Sequence, residues 1–399
     1  MRNTTEKLAI LSLSLMLVST YSISAVLPSM FDYYSGYSPG QVDILISTPS
    51  FAILVMILVN TWLARHMNER LMITGGLLLL SLSGVAPIFS QNYTFVFISR
   101  ILLGLGIGLI NSKAVSMISE RFTGNERTAL LGYRSAAETL GNAVLTFIAG
   151  RLLLIHWTQA FFIYAFGFVI LILYLTFVPY KTGKSKTASA YTPSHADAPP
   201  VLSRYKVLMI LFYAVSAGFL ICTSSSISLR LPLLVLEKGY ADETQASTVL
   251  GVFLMVGIIS GILYRRLVSL AHEHLFLFSV LTCCAGLLVI AQAGSLPVLG
   301  IGAVISGLAH TAAITCIFNG VPSHLPVANV HAATSMVLIG CNLGASSTPF
   351  ITGLASRLHP GAGTAFYTCC GLLLIVGILN TVFNKIKPEL AISINPEQL

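Results

Sequence analysis

Charged side chains are scarce in this sequence. Only 9% of the 399 residues are Asp, Glu, Lys or Arg, whereas soluble globular proteins carry about 25%. So few charges could not cover the surface of a soluble protein of this size, and 55% of the residues are hydrophobic. We therefore expect lipid to be the solvent for much of the chain. The same scarcity argues against a nucleic-acid-binding protein, despite a formal net charge of +8.

Motifs that would indicate an enzyme or an ATP-driven pump are missing as well. No glycine-rich phosphate loop precedes a Lys and a Ser or Thr, so no ATP drive is encoded. The sequence also shows no recognisable pairing of a catalytic nucleophile with a general base. The seven cysteines form no C-x-x-C pair and no Cys/His metal spacing, and we interpret them as small apolar packing residues. The sequence therefore predicts no enzyme, no metal site and no cofactor.

Long apolar stretches are what the sequence has in abundance. Twelve segments approach the 20 or so apolar residues that a membrane-spanning helix needs. The alternating ten-residue runs of a membrane β-barrel do not occur, and the first stretch is too long for a cleaved signal peptide. The predicted helices, numbered 1 to 12, lie near residues 8–29, 42–64, 71–90, 93–117, 129–153, 158–178, 206–229, 244–263, 274–292, 297–320, 331–356 and 362–384.

The positions of Lys and Arg orient these helices. With the N-terminus in the cytoplasm, 15 of the 22 basic residues fall in cytoplasmic segments, as the positive-inside rule requires. Both termini are therefore expected on the cytoplasmic side of the inner membrane. The four basic residues on the opposite side are Arg151, Arg230, Lys238 and Arg357. The three that remain within helices are Arg100, Lys113 and Arg134.

The chain divides near its middle. Residues 179–206 are polar and contain the Pro199-Pro200 pair, a composition typical of a linker. We predict a six-helix N-terminal half at 1–178, a cytoplasmic linker at 179–206, and a six-helix C-terminal half with a short tail at 207–399.

The two halves share a weak internal repeat. At an offset of 203 residues, Gly104-Leu105 matches Gly307-Leu308 and Leu140-Gly141 matches Leu343-Gly344. Each match alone could arise by chance in apolar sequence, but one offset serves two pairs of helices. The pattern fits two parallel repeats related by an axis along the membrane normal.

Helix 4 carries the most specific motif, an arginine followed by spaced glycines. It reads Arg100-Ile101-Leu102-Leu103-Gly104-Leu105-Gly106-Ile107-Gly108. This pattern resembles the helix-4 motif of the major facilitator superfamily, the 12-helix secondary transporters, and the passage from Gly141 to Trp157 is similar to the family's helices 5 and 6. The loop between helices 2 and 3 departs from the family pattern, because Arg65 stands where an Asp is expected and Asn68 where a Gly is expected. Helix 5 also lacks the Gly-Pro signature of the drug/proton antiporters.

Arg100 is the first candidate for a functional residue. A charge within the bilayer costs at least about 2.5 kcal/mol and needs a polar cavity or a partner. Helical spacing places Arg100, Gly104, Gly108 and Asn111 on one face. We predict a substrate or cavity role for Arg100 and Asn111, and a packing role for Gly104, Gly106 and Gly108. The alternative is that Arg100 lies near the outer end of the helix and extends to water.

Helix 5 contains Arg134 and Glu138, which are four residues apart and share a helical face. A carboxyl group in the membrane could alternate between a protonated state and an ion pair with the arginine. We therefore predict that Glu138 and Arg134 couple transport to protons. A fixed structural ion pair is the alternative, as is a pair between Glu138 and Lys113.

Three further polar residues are predicted to face the substrate path. His310 falls on Ile107 at the repeat offset, and its imidazole could bind substrate or relay a proton. Tyr21 lies in a hydroxyl-rich stretch of helix 1, and Asn342 lies in helix 11. Gly141 and its repeat partner Gly344 are predicted to pack helices closely.

The resemblance implies a secondary transporter in which two halves rock around a site near the midplane of the membrane. Proton-coupled efflux of drugs or toxic compounds is the commonest inference from such a resemblance. Uptake or exchange of a small organic anion is the alternative, because the predicted site holds more basic than acidic side chains. A membrane sensor that transports nothing is a third possibility. The expected partners are a small-molecule substrate, protons and the lipid bilayer, and the chain is expected to function as a monomer.

Overall fold

In a computed structural model, the chain is described at residues 2–122, 124–179, 203–325, 327–358, 361–386 and 392, and every element in those ranges is helical. Twelve helices, α1 to α12, correspond one by one to the predicted helices. α1 is broken into several short helices between Arg2 and Tyr33. The other helices of the first half are α2 (Pro39–His66), α3 (Glu69–Val85, extended by the 3-10 turn Ala86–Ile88), α4 (Tyr93–Arg121), α5 (Gly124–Leu152) and α6 (Trp157–Ala165 as a 3-10 helix, then Phe166–Phe177). Those of the second half are α7 (Arg204–Glu237), α8 (Glu243–Ala271), α9 (Leu275–Gln292), α10 (Leu296–His324), α11 (Val327–Leu358) and α12 (Thr364–Ile386).

Most of these helices satisfy the physical requirements for crossing a membrane. Within the described ranges, nine helical stretches are long and apolar enough, and a tenth is added if α1 is taken as one bent span. One of the nine, Glu243–Gln292, contains both α8 and α9. α5 is absent from the nine because Arg134, Glu138 and several small polar residues lower its hydropathy. A helix of this composition needs protein partners for its polar face.

α1 is the irregular helix of the fold. It begins as the α-helix Arg2–Ser12, continues as the 3-10 turns Leu13–Met16, Ser19–Tyr21 and Ser24–Val26, and ends as the α-helix Leu27–Tyr33. The two sides of the break, at residues 4–16 and 19–33, meet at an angle of 47°. Broken backbone at membrane depth is stable only where protein groups satisfy its free carbonyls. The break therefore implies that neighbouring helices supply hydrogen-bond donors.

Local capping explains where several helices begin. Asn92 accepts hydrogen bonds from the backbone N–H of Thr94 and Phe95 at the start of α4. Asp242 accepts one from Gln245 at the start of α8. Ser38 and Gln41 form a capping box at the start of α2. Such caps satisfy amides that have no partner inside the helix.

The chain forms two compact units, one up to residue 196 and the other from residue 197. In the first unit, α4 packs against α2 and α3 while α5 packs against the broken part of α1. In the second unit, α10 packs against α8 and α9 while α11 packs against α7. The two units therefore repeat one packing pattern. Most of the predicted linker at 179–206 lies outside the described residues, and its bounds stay a prediction.

Candidate functional site

Arg100 is enclosed by the first unit rather than extended to water. Only 1% of its surface is exposed, so the alternative of an interfacial arginine is wrong. Its Nε donates to the carbonyl of Leu45 on α2 at 3.0 Å, and its Nη2 donates to the carbonyl of Thr20 in the break of α1 at 3.0 Å. Its Nη1 donates to the hydroxyl of Tyr164 on α6 at 3.1 Å. One buried guanidinium thus links α4 to three other helices.

Tyr164 completes the support of the broken helix. Its hydroxyl donates to the carbonyl of Ser19 at 3.1 Å, and the Arg100 guanidinium carbon lies 5.4 Å from the centre of its ring. The carbonyls of Ser19 and Thr20, freed by the break, each receive a donor. Arg100 and Tyr164 therefore stabilise the unwound segment of α1.

α5 supports the same break from another side. A Cβ atom at Gly141 would collide with the carbonyl oxygen of Leu15, so only glycine permits this approach of α5 to α1. The next residue, Asn142, accepts a hydrogen bond from the Ser22 hydroxyl at 2.8 Å. Tyr21, a predicted substrate residue, lies in the 3-10 turn between these contacts and is half-buried.

Arg134, Glu138 and Asn111 form a polar cluster between α4 and α5. Arg134 Nη2 lies 2.5 Å from Glu138 Oε1 and donates to Asn111 Oδ1 at 3.0 Å. The Arg134 and Glu138 side chains are 15% and 20% exposed, so the ion pair is largely removed from solvent. The Nε of Arg134 is buried and has no acceptor among the described residues. The cluster therefore has an unused hydrogen-bond donor.

The cluster and the break of α1 lie along one side of α5. Arg134, Glu138, Gly141 and Asn142 are spaced by four, three and one residues, which places them along one face of a helix. The outer part of this face contacts α1, and the inner part carries the ion pair. The spacing of Arg134 and Glu138 predicted the ion pair, but nothing in the sequence indicated its continuity with the broken helix.

The glycines of α4 lie where neighbouring helices come closest. A Cβ at Gly104 would collide with the carbonyl of Pro49 on α2, and one at Gly108 would lie 2.5 Å from the Met56 Cβ. A Cβ at Gly106 would lie 2.7 Å from the backbone nitrogen of Leu80 on α3. These contacts are what the predicted packing role requires.

The predicted residues of the second unit are less connected. His310 on α10 is 9% exposed, and its Nδ1 has no hydrogen-bond partner within the described part of the chain. Asn342 on α11 donates to the carbonyl of Leu338 in its own helix at 2.9 Å. A Cβ at Gly344 would collide with the carbonyl of Gly218 on α7. His310 is therefore a buried imidazole with one ring nitrogen that these described residues do not satisfy.

Two buried charged residues were missed by sequence analysis. Arg230, which was predicted on the side opposite the cytoplasm, lies inside α7 with 7% of its surface exposed, and its Nη2 donates to Thr352 Oγ1 at 2.9 Å. α7 continues through Pro232 to Glu237, and the apolar residues after Arg230 were the available signal of its burial. Asp43 is fully buried in the second turn of α2.

The cysteines are not all plain packing residues. Within the described residues all seven are free thiols, six of them buried. The Cys284 thiol on α9 donates a hydrogen bond to the backbone carbonyl of Cys370 on α12 at 3.6 Å. In the same described ranges, no three His, Cys, Asp or Glu side chains gather in a way that could hold a metal ion.

Comparison with known proteins identifies related chains. The family model of the Major Facilitator Superfamily matches residues 9–274. An inner membrane metabolite transport protein of Escherichia coli K12, YgcS, is 26% identical over 260 residues. That alignment covers 59% of this chain and 58% of the relative, so the chain matches little more than half the length of the curated relative.

Solved structures of low sequence identity share the fold. A D-xylose–proton symporter matches with a TM-score of 0.73 at 17% identity, over 99% of this chain and all of that chain. The inward-open xylose transporter XylE of E. coli matches with a TM-score of 0.74 at 13% identity, over 96% of each chain. A bacterial homologue of the human lysosomal transporter Spinster reaches 0.76 at 14% identity, over 96% of this chain and 97% of its own.

Proposed function

The chain belongs to the Major Facilitator Superfamily, and we propose that it is a proton-coupled transporter of a small organic anion. Membership makes it a multi-pass membrane protein in a family of secondary transporters rather than of enzymes. Transport by alternating access, its coupling to protons and the class of substrate are the proposal.

The observation that supports the proposal most is the incomplete hydrogen bonding of the Arg134 guanidinium. Its Nη2 is shared between Glu138 and Asn111, while its buried Nε has no acceptor among the described residues. An arginine presents its donors in a fork that matches a carboxylate or a phosphate. An anionic substrate could therefore occupy the unused side of this guanidinium.

Proton coupling follows from the neighbouring carboxylate. While Glu138 is ionised, it neutralises Arg134 and competes with an anionic substrate. A proton on Glu138 breaks the ion pair and leaves Arg134 as an uncompensated cation, which then attracts the anion. Proton and anion therefore bind together, as cotransport in one direction requires.

The same geometry bears on drug efflux, the first expectation from the family resemblance. A lipophilic cation would have to approach Glu138 with Arg134 only one helical turn away. The arginine repels the cation and holds the carboxylate that would attract it. Arg100 does not change this balance, because its three donor groups are bonded to Leu45, Thr20 and Tyr164. In our proposal, Arg100 positions α1, and Tyr21, His310 and Asn342 remain predicted substrate contacts.

Transport assays in liposomes test the proposal. Purified protein is reconstituted, a pH gradient is imposed, and a panel of carboxylates, organic phosphates and lipophilic cations is tested in both directions. We expect inward, proton-driven accumulation of at least one anion. Proton-driven export of cations would support efflux instead, and a protein that moves no compound of either class and gains no thermal stability from any of them would favour a sensor.

Variants of the ion pair sharpen the same assay. Glu138→Gln should reduce proton-driven accumulation of the anion at least about tenfold, while exchange of the anion across the membrane without a pH gradient continues. Glu126→Gln is the matched control, because Glu126 lies at the exposed end of α5 and pairs with Lys7. Unchanged pH dependence in Glu138→Gln would remove Glu138 from the coupling role.

A further inference from the structure

An apolar groove runs between α9 and α12 in the second unit. It has a volume of about 210 Å³ and is lined by Leu277, Leu281, Leu374, Gly377, Ile378, Thr381 and Val382. Its rim is open, since Ile378 is 62% and Leu281 45% exposed. Gly377 forms the floor, where a Cβ would already touch Leu277 and Val280 at 3.4 Å. A groove with this lining fits a hydrocarbon chain.

The groove ends at the cytoplasmic surface beside basic side chains. Lys385 is exposed in the last turn of α12 and lies four residues beyond Thr381, so it continues that wall of the groove. His274 is exposed just before α9 and lies three residues before Leu277, so it continues the other wall. The bias of basic residues towards the cytoplasm places this end in the inner leaflet.

The charge at this end favours an anion. Arg265 and Arg266 are exposed near the end of α8, and α9 presents its N-terminal amides there. The single acid in the turn before α9 is Glu273, whose carboxylate lies 3.7 Å from the His274 imidazole. Basic side chains at the inner surface attract anionic headgroups.

A second apolar groove of the same unit provides a comparison. It lies between α8 and α10 and is lined by Thr248, Val249, Val252, Pro297, Gly300, Ile301, Val304 and Ile305. Its α8 wall begins beside Asp242 and Glu243. The two grooves therefore have similar linings but opposite charges at their ends.

We propose that the groove between α9 and α12 binds an anionic phospholipid of the cytoplasmic leaflet. One acyl chain lies along the apolar wall from Leu374 to Val382, and the phosphate lies beside Lys385 and His274. The site is independent of the proposed substrate and of proton coupling, because none of the residues predicted to contact substrate or to couple protons lines the groove.

A tryptophan in each groove reports the lipid beside it. The natural tryptophans, Trp62 and Trp157, are both in the first unit, so the wild-type signal is subtracted. In Ile378→Trp, brominated phosphatidylglycerol should quench the new fluorescence with an apparent affinity about fivefold above that of brominated phosphatidylcholine. Ile301→Trp, in the groove between α8 and α10, should show no preference for either lipid. Equal quenching by both lipids at position 378, or an equal preference at both positions, would overturn the proposal.

Charge substitutions identify the source of the preference. Lys385→Gln, added to Ile378→Trp, should abolish most of the fivefold preference, whereas Lys206→Gln at the cytoplasmic start of α7 should leave it intact. A preference that survives Lys385→Gln contradicts the assigned headgroup position.

Native mass spectrometry gives a second readout that needs no probe residue. From an equal mixture of the two lipids, the unsubstituted protein should retain about fivefold more phosphatidylglycerol, and Lys385→Gln should retain both equally. Glycerol phosphate, which has the headgroup chemistry but no acyl chain, should not displace the lipid at millimolar concentration. Displacement by glycerol phosphate would assign the site to a soluble phosphate and overturn the lipid proposal.

Discussion

α1 and α7 occupy corresponding positions in the two units, yet α1 is broken and α7 is continuous. α1 meets α5 where Leu15 contacts Gly141, and α7 meets α11 where Gly218 contacts Gly344. Both pairs are related by the 203-residue offset found in the sequence. α7 nevertheless runs as one helix from Arg204 to Glu237, whereas α1 bends by 47°.

The difference follows from the side chains that can form hydrogen bonds with each helix from its neighbours. The break in α1 is supported by Arg100, which donates to the Thr20 carbonyl, and by Asn142, which accepts from Ser22. At the repeat offset these two residues correspond to Ala303 and Ala345, both buried. Alanine offers no side-chain donor or acceptor, so the carbonyls of a broken α7 would lack this support. α7 therefore keeps its hydrogen bonds within the helix.

The ion-pair cluster shows the same contrast. Arg134, Glu138 and Asn111 correspond at the offset to Val337, Cys341 and Ile314. Two of the packing glycines, Gly104 and Gly141, are repeated as Gly307 and Gly344, but these polar groups are not. The repeat thus preserves how the helices approach each other, while the polar groups that we assign to coupling are confined to the first unit.

The largest effect that would test this contrast is expected at Arg100. Arg100→Leu removes the donors to Thr20 and Leu45 and leaves both carbonyls buried, so we expect a loss of about 3 kcal/mol in the free energy of unfolding. Thermal unfolding in detergent measures it. Arg151→Leu is the control, because Arg151 is an exposed arginine of the same unit. Equal stability of the two variants would show that the arginine does not support the break.

A smaller loss of stability is expected at Gly141 and Gly344, the close-packed glycines that the two units share. Gly141→Ala and Gly344→Ala each place a methyl group against the backbone of a neighbouring helix, and each should cost about 1–3 kcal/mol in stability. Gly132→Ala and Gly353→Ala are controls in the same two helices, since within the described residues no packing neighbour lies within 4 Å of the added methyl. These controls should be neutral or stabilising by up to about 1 kcal/mol. Loss of stability in only one unit would contradict the shared packing.

The fold was largely predictable from the sequence, because lipid imposes long apolar helices whose number and spacing can be read directly. The predicted helical membrane fold and family are confirmed. Some helices extend beyond the predicted apolar cores, as at the start of α5, which begins at Gly124 rather than near residue 129, because polar residues outside the hydrocarbon layer carry no hydropathy signal. The break of α1 was not predicted, because the hydroxyl-rich residues 19–24 were interpreted as part of a regular helix beside the substrate path.

The candidate site was predictable only in part. The spacing of Arg134 and Glu138 within one helix indicated their ion pair, because both partners lie on a single local element. Arg100 was identified as unusual, but its partners lie 55, 64 and 80 residues away in sequence. Such contacts depend on the tertiary packing of α1, α2 and α6, which no local pattern encodes.

The smallest effect on stability is expected from ion pairs at the cytoplasmic ends of the helices, where the two units also differ. In the first unit, Arg121 binds Glu6 at 2.8 Å and Glu69 at 2.9 Å. Burial alone would lower the pKa of Arg121, but the hydrogen bonds and charges of Glu69 and Glu6 raise it above its ordinary value. The corresponding residues in the second unit are His324, Met209 and His272, which contain no carboxylate.

Glu69→Gln should therefore reduce the free energy of unfolding by about 1 kcal/mol, because it removes one partner of a partly buried pair. Glu273→Gln, which changes an exposed acid of the second unit, should alter stability by less than about 0.3 kcal/mol. Chemical denaturation at low and high ionic strength distinguishes the two cases, since salt screens exposed charges more than buried ones. If Glu273→Gln proved as costly as Glu69→Gln, the cytoplasmic ion pairs would not be a feature particular to the first unit.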